Sequence, residues 1–122
     1  MILEDEMKIR MKKVKIKNKK TGERKEYTMY FVVFSIEYND ILKNVKELKN
    51  VEIVTKDKRY FIKKATVYKH SDYMKKDGEK IPLYAMVVPK KIANELISKG
   101  IRKVRIIAEI PEVKEEVTTE RN

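Results

Sequence analysis

The sequence predicts a mainly β, α+β single domain: a small pseudo-two-fold barrel or sandwich made of two related β-β-α-β units. Three observations lead there. The 122-residue chain is long enough for one core and too short for two. Its apolar residues, 42% of the total, fall in short ordered runs rather than at random. And Met29-Tyr30-Phe31-Val32-Val33-Phe34-Ser35 aligns without a gap on Leu83-Tyr84-Ala85-Met86-Val87-Val88-Pro89, which makes the chain a diverged tandem repeat.

The repeat extends in both directions. Upstream, Lys12-Lys13-Val14-Lys15-Ile16 is set on Lys63-Lys64-Ala65-Thr66-Val67. Downstream, Leu48–Val54 falls on Ile101–Ile107 after a one-residue adjustment. The domain is expected over residues 7–111, its units over about 8–57 and 58–111, with an acidic flexible tail over 112–122 (Glu112, Glu115, Glu116, Glu120).

Each unit opens on an alternating, half-buried strand, with Val14 and Ile16 on one face and Lys13, Lys15 and Lys17 on the other. Glycine-containing loops follow, Asn18–Lys25 around Gly22 and Lys69–Lys80 around Gly78. The continuous apolar runs Met29–Phe34 and Leu83–Val88 then read as strands buried on both faces. Ser35 is a good helix N-cap, and Pro89 is tolerated in a first helical turn because its missing N–H has no helical partner there. Tyr38, Ile41 and Leu42, like Ile92 and Leu96, take helical spacing, and Gly100 suits a helix end. Alternating strands (Val51, Ile53; Val104, Ile106) close the units. Arg59-Tyr60-Phe61-Ile62 is expected to pair with Val51–Thr55 across a turn at Asp57-Lys58.

From Val87-Val88-Pro89-Lys90-Lys91-Ile92-Ala93-Asn94-Glu95-Leu96 through Gly100 to Val104-Arg105-Ile106, the chain resembles the AbrB/MazE-like (SpoVT-AbrB) family. The resemblance implies a swapped-hairpin-like sandwich or cradle-loop barrel and a DNA-binding role. It covers roughly the last thirty residues before the tail, and the first unit echoes it. Tyr84-Ala85 stand where the family has Gly-Arg, Ala93 and Asn94 replace helix cations, Arg102-Lys103 replace a Gly-Asp pair, and Ser35 replaces the proline. The family's DNA contacts are therefore not carried over.

Charge sets the functional expectation. Thirty Lys and Arg face 19 acids, a formal +11, and such a field attracts polyanions. The densest stretch gives the first candidate contacts, Lys13, Lys15, Lys17, Lys19, Lys20, Arg24 and Lys25. Lys63, Lys64, Lys69, Lys75 and Lys76 are their expected counterparts, and Arg102, Lys103 and Arg105 form a smaller patch. Lysines on an exposed edge strand also prevent aggregation, so the charge has a structural use as well. Tyr68 and Tyr73 lie among the second set; stacking on bases is one use for them, and packing within the fold is the commoner one.

No cysteine is present, which removes disulfides, thiolate metal sites and thiol nucleophiles. The single histidine, His70, beside Ser71 and Asp72, reads as a solvated loop residue rather than part of a triad. The expectation is a non-enzymatic, cofactor-free protein that binds nucleic acid, DNA ahead of RNA, as a transcriptional regulator or chromatin-type binder. The alternative is a protein–protein adaptor or small viral-type factor meeting an acidic partner. Absence of glutamine and cysteine suits a thermophile. Without an apolar stretch long enough to span a membrane, or a basic-apolar leader, a cytoplasmic location is expected. Closure as a monomer and pairing as a homodimer both remain open.

Overall fold

The computed structural model describes residues 1–111, so the expected tail over 112–122 lies outside the described residues. Seven antiparallel strands form one sheet in the order β1-β7-β4-β5-β6-β3-β2. They are β1 (Ile2–Lys8), β2 (Arg10–Lys17), β3 (Arg24–Val33), β4 (Glu47–Val54), β5 (Arg59–Met74), β6 (Lys80–Val88) and β7 (Lys103–Glu109). Two short helices complete the fold: α1 (Asn39–Leu42), entered through a 3₁₀ turn at Ile36–Tyr38, and α2 (Lys90–Ser98). The protein is mainly β, as its apolar pattern predicts.

β5, sixteen residues long, carries β4 along its first half and β6 along its second. At the other side, β1 and β2 are separated only by Ile9, which is 2% exposed and whose amide donates to the Arg102 carbonyl at 2.7 Å. β1 and β2 are the two ends of the sheet, and no ladder joins them into a closed barrel.

Period-two alternation fills the core. Leu3 and Met7 of β1, Val51 and Ile53 of β4, and Val104, Ile106 and Ala108 of β7 point inward with Val32 of β3, Met86 and Val88 of β6, and Phe34 just past β3. Leu42 and Leu96, both 0% exposed, bring the helices onto this core. Truncating either to alanine would cost about 2–5 kcal/mol.

Local chemistry explains the helices. The Ser35 hydroxyl accepts from the Glu37 amide, capping the 3₁₀ turn as expected. Pro89 is the N-cap of α2. At its other end Gly100, at φ +75°, donates to the Ile97 carbonyl, and Ile101 donates to that of Leu96. This double reversal needs a left-handed residue, which glycine supplies without steric cost. The Glu95 carboxylate then clasps α2 to β5, accepting from the Tyr60 hydroxyl and from Lys58 Nζ at 3.0 Å. Those bonds, the tyrosine's first, hold the carboxyl down at about 2.

Four expectations change. The domain begins at Ile2 rather than at residue 7, because β1 pairs with β7 along its whole length. Arg24, Lys25 and Lys69–Met74 lie in strands, not loops: the ladders continue as far as Lys17↔Arg24 and Met74↔Lys80. Ile16, expected on the buried face of its strand, is 51% exposed. Lastly, the strand that stands beside β6 as β2 stands beside β3 is Val67–Met74, not Lys63–Val67. Matching lysine pairs had displaced the alignment by several residues.

Candidate nucleic-acid interface

β3 meets β6 only from Tyr30↔Val88 to Val33↔Ala85. Beyond that short central pairing each strand continues with its own hairpin partner alone. Because β3 and β6 are antiparallel, the two hairpins leave the body in opposite directions. The first arm, β2–β3, carries six cross-strand pairs from Lys12↔Met29 to Lys17↔Arg24, about 20 Å of two-stranded ribbon. The second, β5–β6, carries four, from Ser71↔Leu83 to Met74↔Lys80.

Register decides what each face of the first arm presents. Lys13, Lys15 and Lys17 share a face with Thr28, Glu26 and Arg24, as alternation predicts. The opposite face sets Val14, Ile16, Lys25 and Tyr27 together. Lys19 and Lys20 crown the tip, in a turn closed by the Asn18 amide donating to the Glu23 carbonyl at 2.7 Å. Gly22 takes φ +74° within it. Asn18 Oδ1 accepts from the Lys20 amide at 2.9 Å, which fixes the tip's shape.

Residues 12–29 hold eight basic side chains against Glu23 and Glu26, net +6. Only Lys13 is ion-paired among the described residues, to Glu26 at 3.7 Å, and both partners are well exposed. Such a pair is worth about 0–1 kcal/mol. Lys15, Lys17, Lys19, Lys20, Arg24 and Lys25 stand exposed with no carboxylate within 4 Å among the described residues.

The other expected contacts are not assembled with them. Lys63 and Lys64 lie on the first half of β5, and Lys64 meets Glu47 at 3.8 Å. In the second arm Lys69 is paired with Asp72 at 3.0 Å and Lys75 with Glu79 at 3.7 Å, leaving Lys76 in the turn. Lys103 and Arg105 face Glu6 and Glu4 of β1, at 3.9 and 3.4 Å, while Arg102 precedes β7. The structure thus gathers the first seven candidates and disperses the remaining eight.

Sequence reading missed the contact where the two arms meet. His70 sits in a β5 strand at the bulge between Lys69 and Ser71, its ring 4.8 Å from that of Phe31. It is not a solvated loop residue. Lys12 Nζ lies 5.6 Å from the Phe31 ring centre and 5.4 Å from that of Tyr68, within cation–π range. Burial, then the charges of Lys12 and Arg10, push the His70 imidazole below its ordinary value. Tyr68 is half-covered here, whereas Tyr27 and Tyr73 are about half exposed, 46% and 53%. The sequence signal for Tyr27 was its place in a lysine-rich hairpin.

No trio of His, Asp or Glu among the described residues is placed to hold a metal ion. No helix among them is long and apolar enough to cross a membrane.

A mainly β domain carrying one long basic hairpin arm defines the class of protein. The chain is 36% identical over 99 residues to the uncharacterized protein ORF115 of Acidianus two-tailed virus, a match covering 80% of this chain and 81% of that one. It belongs to the same family as that viral protein. No family model matches the sequence, and no solved structure matches it.

Proposed function

We propose that this protein binds nucleic acid through the β2–β3 arm, as a DNA-binding regulator or chromatin-type binder. The observation that carries the reading is the free ribbon of net +6, whose cations are left almost entirely unpaired by the acids among the described residues. Lys13, Lys15, Lys17, Lys19, Lys20, Arg24 and Lys25 contact phosphates, each neutralised phosphate releasing counterions. Tyr27 and Ile16 give the opposite face apolar contacts to sugars and bases. A two-stranded ribbon fits the roughly 12 Å major groove of B-form DNA, and the narrow major groove of A-form RNA excludes it. Duplex DNA is therefore the favoured ligand.

Fluorescence anisotropy with labelled duplex DNA, single-stranded DNA and RNA across a salt series tests this. The expected result is duplex preference with a log–log salt slope of about −4 to −6, roughly one unit per phosphate contacted. Absence of binding at low salt would remove the reading and leave an acidic protein partner as the alternative.

We further infer that the fold is a two-unit barrel related to the AbrB/MazE-like swapped hairpin. Exchange of the two halves carries the β2·β3 pairing onto β5·β6 and β1·β7 onto β4·β5, and maps the β3·β6 and β4·β7 pairings onto themselves. Ile53 and Ile106, equivalent by sequence alignment, are directly paired, as a local two-fold axis requires. The Ile9 corner, where β1 runs on into β2 and the Ile9 amide donates to the Arg102 carbonyl, then brings the two ends of the sheet together. Slow amide exchange on both sides of Ile9 is expected; exchange there as fast as at the arm tip would overturn closure.

A further inference from the structure

The outward face of the β1·β7·β4·β5 half is built differently from the arm. Register lays Glu4, Ile107, Glu52 and Phe61 in one row across the four strands, and Glu6, Arg105, Val54 and Arg59 in the next. Charges here are matched within the face: Arg59 meets Glu52 at 2.9 Å, Arg105 meets Glu4 at 3.4 Å, and Lys103 meets Glu6 at 3.9 Å. Phe61 stands among them 70% exposed. On the same face an open groove of about 280 Å³ runs between the end of β4 and the start of β7, lined by Glu6, Val54, Thr55, Lys56, Lys103, Val104 and Arg105.

We propose that this face pairs with a second copy of the chain, about a two-fold axis that seats each copy's Phe61 in the other's groove. A two-fold interface must be complementary to itself, so knob, recess and both signs of charge have to lie on one patch. They do so here. The whole chain carries +11, so two copies repel on most approaches. A face on which Arg59, Lys103 and Arg105 are each matched by an acid is where that repulsion is reduced. An aromatic anchor framed by charged groups also has the anatomy of a protein interface, an apolar centre inside a polar rim. A strongly acidic partner would find two of the groove's three cations, Lys103 and Arg105, already neutralised and only Lys56 free among the described residues. The pairing leaves both hairpin arms free and needs no nucleic acid.

Salt gives the test its direction. Screening weakens the repulsion between two +11 copies, so dimerisation strengthens with salt, whereas phosphate binding weakens. Sedimentation equilibrium on the full chain without nucleic acid, at about 0.1 M and about 1 M salt, spans screening lengths of about 10 Å and about 3 Å. A dimer is expected, tighter at the higher salt. Phe61→Asp should weaken it roughly tenfold or more while leaving the thermal midpoint close to wild type, since the side chain is largely exposed. Tyr27→Asp, on the arm, should leave self-association intact. A wild-type chain that stays monomeric at both salts, or a Phe61→Asp variant that dimerises as well as wild type, would overturn the proposal.

Discussion

The two hairpin arms hold corresponding places on the sheet and differ most in charge. Residues 12–29 of the first arm carry net +6, whereas residues 71–83 of the second set Lys75, Lys76 and Lys80 against Asp72, Asp77 and Glu79, net zero. In the second arm Lys75 is paired internally with Glu79, and Lys69, just outside this stretch, reaches Asp72. The first arm is also the longer ribbon, six cross-strand pairs against four. One framework therefore supports a ribbon whose charge is directed outward and one whose charge is satisfied locally. The difference locates a binding function more sharply than total charge does, because +11 spread over the surface would favour no single place.

The largest effect that could break this comparison comes from the first arm. Lys15→Ala, Lys17→Ala, Lys19→Ala and Lys20→Ala combined should flatten the salt slope by about 3 to 4 and weaken duplex binding by a hundredfold or more, roughly, at moderate salt. All four side chains are exposed, so thermal stability should hold. The matching variant of the second arm, Lys75→Ala with Lys76→Ala, should change affinity by about threefold or less. Equal losses from the two arms would dissolve the distinction.

A smaller, opposite effect sharpens it. Asp72→Lys, Asp77→Lys and Glu79→Lys together convert the second arm from net zero to net +6. Affinity for a long duplex should rise, with a slope steeper by up to about 3, if charge alone distinguishes the arms. No gain would mean that the length of the first ribbon, or its exposed Tyr27 and Ile16, is also required.

How much of this was legible in the sequence depended on whether a signal was local. β3, β6 and α2 could be read because Met29–Phe34, Leu83–Val88 and the Pro89-to-Gly100 segment carry their burial and capping instructions within themselves. β1 was hidden. Glu4 and Glu6 interrupt its apolar pattern, although Leu3, Met7 and Ile9 keep the period of a strand. The reason for those acids, Arg105 and Lys103 on β7, lies about a hundred residues away. The repeat misled in one place for a similar cause: lysine pairs at Lys12-Lys13 and Lys63-Lys64 look alike, but pairing partners rather than identities define equivalence. The basic hairpin was legible because its lysines are contiguous. Its isolation from the other candidates was not, since salt bridges belong to tertiary structure.

The smallest expected effect concerns the place where the arms touch. His70, at the base of the second, packs on Phe31 at the base of the first, with Lys12 and Arg10 of β2 the cations acting on it. Its folded value lies below the ordinary 6.5, chiefly through burial and then through those two charges. A lowered histidine works against the folded state in acid. As pH falls through 6.5 the unfolded chain takes up a proton that the folded chain still refuses, so stability drops until the folded imidazole also protonates. Denaturant midpoints measured at about pH 7.5 and about pH 5.5 should therefore differ by more in wild type than in His70→Phe, which keeps the ring packing without the titration. Lys12→Ala should move the imidazole back toward its ordinary value in an NMR titration, because one of its opposing charges has gone. If neither variant changed the pH response, Lys12 and His70 would not be coupled, and the arms would meet through apolar packing alone.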